Sequence, residues 1–98
     1  MKLIELFRAI KEKALTKEHI EGYRDELVSL YAEMKIEFAE LEKEEALYLL
    51  SSNETSWVGK KVSWKGSEHG QRMITLKNYI GATSKVIDSL KSRLYSLY

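Results

Sequence analysis

The chain contains no cysteine and no proline, and glycine occurs only five times in 98 residues. Without thiols there is no disulfide framework and no thiolate metal site, a composition that suits a reducing compartment. Without proline, nothing removes a backbone donor or clashes with the preceding turn, so long uninterrupted helices are permitted. Long apolar runs are also missing, and no stretch approaches the roughly 18 residues that a membrane-crossing helix needs. The opening MKLIELFRAIKEKAL is broken by charge every few residues, the wrong pattern for a secretory leader. These absences predict a cytoplasmic protein with no membrane association. Its length bounds it to one small domain, residues 1–98, whose limited core makes a homo-oligomer an expected source of added stability.

Acidic residues are scarce in one half only. Residues 1–50 carry 8 Lys/Arg and 12 Asp/Glu, whereas residues 51–98 carry 8 Lys/Arg and 3 Asp/Glu. The net charge of +1 therefore conceals an acidic piece of −4 and a basic piece of +5. Two readings follow. The halves attract each other, within a hairpin or between subunits, or the basic half offers a surface to a polyanion.

What is present is helical periodicity. Leu3, Leu6, Phe7, Ile10 and Ala14 mark a short first helix over about 2–14. Thr16 then fits an N-cap, and Ile20, Leu27, Met34, Leu41 and Tyr48 recur every seven residues to about residue 51. A third segment, about 70–97, places Met73, Leu76, Ile80, Thr83, Ile87, Leu90, Leu94 and Leu97 at alternating spacings of three and four. The predicted fold is all-α: two long antiparallel helices, about 17–51 and 70–97, with coiled-coil-like seams and a short N-terminal helix. Leu27, Met34, Leu41, Met73, Leu76, Ile80, Ile87, Leu90 and Leu94 are the expected core and oligomer seam. Whether the long helices fold back or exchange between chains is left open. Thr83, polar inside its seam, either fixes register or bonds back to its own helix.

The connector, about 52–69, opens with the turn-forming SSNET. WVGKKVSWKG reads as a helix, with Trp57 and Trp64 on one face beside Lys61 and Lys65. It also reads as a hairpin turning at Gly59-Lys60. The helix is preferred.

Little in the chain suits catalysis. Glu37, Glu40 and Glu44 share a helical face, but one face cannot wrap a divalent ion, and the facing helix offers only Asp88. A solvated or salt-bridged face is expected. His19 and His69 form no ligand pair, His69 reading as a loop residue, and no nucleophile or phosphate-cradling motif occurs. The chain is therefore expected to be no enzyme, with no metal and no cofactor.

The basic half is more informative. Lys60, Lys61, Lys65, Arg72 and Lys77 gather in sequence around Trp57 and Trp64, and Lys85, Lys91 and Arg93 carry positive charge onward. Cations that follow a backbone and aromatic rings that stack on bases are how single-stranded nucleic acid is commonly held. The competing reading makes both tryptophans core or interface residues.

The order of parts, from EEALYLL through KGSEHGQRMITLK to the closing VIDSLKSRLYSLY, resembles that of small phage-encoded helical proteins. It is similar in layout to the phage recombination-mediator family over about residues 20–98. That resemblance implies an oligomeric protein that binds single-stranded DNA and loads a recombinase, working in an infected host cell; it assigns no site residues. The expected function is thus a nucleic-acid-binding accessory protein of DNA replication or recombination. The alternative is a phage module that binds and redirects a host protein, using the acidic face or the tryptophan-bearing linker as its anchor.

Overall fold

The computed structural model describes residues 2–12, 16–52 and 56–96, and among these the regular structure is entirely helical. In chain order the helices are α1 (Lys2–Glu12), α2 (Lys17–Ser51), α3 (Trp57–Gly66) and α4 (Glu68–Ser96). The all-α expectation is met, and α2 starts and stops where its periodicity placed it. The connector is mostly a helix of its own, so the helical reading of residues 57–66 holds and the hairpin does not. α4 begins at Glu68, ahead of the expected residue 70. Ala14, Leu97 and the NET of SSNET lie outside the described residues.

Side-chain caps set the helix starts. The His19 amide donates to Thr16 Oγ1 at 3.3 Å at the head of α2, as anticipated. Ser56, in extended backbone, accepts from the Gly59 amide at 2.9 Å and opens α3. Ser67 serves two helices. Its amide donates to the Trp64 carbonyl at 3.0 Å, ending α3, while its Oγ accepts from the Gly70 amide at 3.0 Å, starting α4. One residue thus separates the two helices, and His69 falls in the first turn of α4 instead of a loop.

The chain divides into two packed units, Met1–Glu33 with Gly81–Tyr98, and Met34–Ile80. In the first, α1 buries Leu3, Leu6 and Ile10, α2 buries Ile20 and Leu27, and α4 buries Thr83 and Leu90. Lys2 Nζ reaches Glu26 Oε2 at 3.8 Å, tying α1 to α2. In the second, Met34 and Leu41 of α2, Trp64 of α3 and Leu76 of α4 form the core. There Glu37 pairs with Arg72 and Glu44 meets His69. Numbers rise along one helix as they fall along the other, so these segments run antiparallel.

Five of the nine expected seam residues, Leu27, Met34, Leu41, Leu76 and Leu90, are therefore core within single units. Leu27, Leu76 and Leu90 are fully buried in one chain and have no surface left for a second copy. Met73, Ile80, Ile87 and Leu94 are half-buried, one line along α4 at seven-residue spacing. Thr83 does not bond back to its helix: its Oγ1 is buried with no hydrogen-bond partner. The back-bond to the residue four earlier is made by exposed Thr75, which donates to the Gln71 carbonyl at 3.1 Å.

Candidate nucleic-acid interface

The seven residues expected to hold nucleic acid do not form one surface. Trp64 is only 5% exposed. Its ring lies 5.6 Å from that of Tyr48 and 6.3 Å from that of His69, and its Nε1–H donates to Met73 Sδ at 3.4 Å. A buried indole with its polar hydrogen satisfied is a packing residue. The expectation that Trp64 offers a stacking face is therefore corrected: it closes the core of its unit. Trp57, seven residues earlier, projects at nearly the same angle but about 10 Å further along the axis. It is 56% exposed, and Lys61 Nζ sits 5.3 Å from its ring centroid.

Arg72 is also committed. Its Nε donates to Glu37 Oε1 at 3.1 Å and its Nη2 to Glu37 Oε2 at 2.8 Å, a two-pronged pair. The hydrogen bonds that Arg72 donates to Glu37 hold the guanidinium pKa above its ordinary value, against a smaller desolvation effect. The positive charge of Arg72 is thereby cancelled at the place where a phosphate would have to approach. The acidic face of α2 is salt-bridged at Glu37 and solvated at Glu40, as expected, and Glu44 Oε2 lies 2.7 Å from His69 Nδ1. Among the described residues no group of three His, Asp or Glu side chains is placed to hold a metal ion.

What remains is a face of α3. Trp57, Lys61 and Lys65 follow one another at four-residue spacing and all are exposed, while half-buried Lys60 lies toward the packed side with Trp64. α3 carries no acidic residue. Val58 and Val62 share the open face at 71% and 64% exposure, two residues that sequence reasoning passed over. The signal was present, since positions 57, 58, 61, 62 and 65 form one helical stripe. A search for lysine and tryptophan alone could not see the valines. Lys65 continues the surface onto a neighbouring groove of about 190 Å³, which it lines with Lys77, Phe38, Ile74 and one carboxylate, Glu45. Lys61, Lys65 and Lys77 make no ion pair with a described carboxylate. Three unneutralised cations and one open indole are thus brought together.

No protein family, no curated protein and no solved structure matches this chain. No helix among the described residues is long and apolar enough to cross a membrane.

Proposed function

We infer that this chain is a non-enzymatic binding protein that holds single-stranded nucleic acid along the open face of α3. The observation that carries the reading is exposed Trp57 in line with Lys61 and Lys65, on a helix without a single carboxylate. A base would stack on the Trp57 ring and phosphates would run past Lys61 and Lys65 toward Lys77. Stacking on one aromatic ring is worth about 1–3 kcal/mol per base. Three lysine–phosphate contacts on a single strand give roughly a 20-fold loss of affinity from about 50 to 200 mM salt. An accessory role in DNA replication or recombination, with several copies acting together, belongs to the same proposal.

The test is fluorescence anisotropy of a labelled oligothymidylate at low and physiological salt, with Lys61→Glu/Lys65→Glu as the variant. Salt-weakened binding that the variant abolishes is the expected result. Val58 and Val62 beside Trp57 favour one second reading, a protein partner docked on the same face with Trp57 as anchor. Absence of oligonucleotide binding, or binding indifferent to salt, would move the assignment there.

A further inference from the structure

In the unit built from α1, the first part of α2 and the last part of α4 lies a groove of about 420 Å³, well inside the range of about 300–1,000 Å³ typical of small-molecule sites. Its floor is apolar: half-buried Phe7 and Val86 supply its open surface, above buried Ile10 and Leu90. Its edges are cationic, with exposed Lys11 on α1 and exposed Lys85 and Arg93 on α4. Among the described residues no carboxylate lines it, and none of the three cations makes an ion pair with a described carboxylate. Along α4 the groove runs from residue 85 to residue 93, about 12 Å at 1.5 Å per residue.

The chemistry of an occupant follows from that lining. An apolar floor is relieved by hydrocarbon and not by a hydrated ion. Neighbouring cations without counter-charge are relieved by an anion, which each can meet with a charge-assisted hydrogen bond. A nucleotide is matched by the edges alone, because its sugar and phosphates are hydrated groups that an apolar floor does not favour. A neutral apolar molecule fits the floor and ignores the edges. One molecule with a hydrocarbon tail and one anionic head satisfies both.

We propose that this groove binds a linear fatty-acid-type carboxylate, its tail along Phe7 and Val86 and its head group among the edge cations Lys11, Lys85 and Arg93. The site shares no residue with the α3 face and stands whether or not that face binds nucleic acid.

The probe is dodecanoate, kept below its micelle concentration and titrated into the full chain. Binding is followed by amide chemical shifts and by calorimetry, with dodecan-1-ol and dodecylammonium as controls. The expected result is one dodecanoate per chain, shifts centred on Phe7 and Val86, and affinity at least about tenfold above both controls. Lys85→Glu and Arg93→Glu, each checked for folding by circular dichroism, locate the head group. The variant at the head end loses at least about tenfold and the other changes less. The proposal is overturned if the alcohol binds as well as the carboxylate, if the shifts map elsewhere, or if the double variant binds undiminished. A single-stranded oligonucleotide that displaces dodecanoate would also overturn it and make the groove part of a nucleic-acid surface.

Discussion

Gly70 sits directly against the backbone of Trp64, and a methyl group there would overlap the Trp64 carbonyl, with its carbon at 2.7 Å and Lys65 Cα at 2.9 Å. Backbone atoms cannot rotate aside as a side chain would, so α3 and α4 approach this closely only because residue 70 has no Cβ. Gly70→Ala should cost about 1–3 kcal/mol through overpacking, read as a lower urea midpoint. Gly81 is the control: nothing lies within 4 Å of a Cβ there, in the body of α4. Gly81→Ala should raise stability by about 0.5–1 kcal/mol, as helix propensity dictates.

Two tryptophans in unlike surroundings predict a two-population fluorescence response. Acrylamide should quench Trp57 and spare Trp64. In Trp57→Phe the quenchable emission should vanish, with stability changed by no more than about 0.5 kcal/mol. Trp64→Ala should cost about 3–5 kcal/mol, because it empties the core of its unit. Equal quenching of both residues would contradict the burial of Trp64.

Thr83 predicts a gain on removal of a polar atom. Its buried hydroxyl has no partner, and such a group costs about 1–3 kcal/mol relative to water. Thr83→Val keeps the shape and should raise stability by about 1 kcal/mol. If the hydroxyl serves register or oligomer choice instead, light scattering will show a changed mass along with the changed midpoint.

The Glu37–Arg72 pair is bidentate but open to solvent, with side chains 41% and 45% exposed. Screening limits its worth, and Glu37→Gln should cost only about 0.5 kcal/mol, a loss that fades in high salt. The same substitution frees Arg72. Under the nucleic-acid reading, oligonucleotide affinity should rise in Glu37→Gln, whereas a docked apolar partner should not respond. Anisotropy at low salt checks it.

Much of the secondary structure was legible because helical periodicity is local. Ile20, Leu27, Met34 and Leu41 repeat every seven residues, and all four are buried; the Thr16 cap was equally readable from its own neighbours. The candidate site was legible only in part. Trp57 and Trp64 have the same spacing logic and the same basic neighbours, yet one is open and the other enclosed. What separates them is which side chains from other helices reach each ring: Tyr48 from α2 and Met73 from α4 meet Trp64.

The sequence by itself determined α1, α2, the body of α4, the Thr16 cap and the absence of disulfide, thiolate and proline constraints, because each depends on residues within a few positions of one another. Only the tertiary structure decided which cations stay free. Arg72 is neutralised by a carboxylate 35 residues away, whereas Lys61 and Lys65 are not, and Lys11, Lys85 and Arg93 edge an apolar groove drawn from both ends of the chain. Charge can be counted along a chain, but its neutralisation depends on distance in space, falling off within about a Debye length, and that distance exists only after packing.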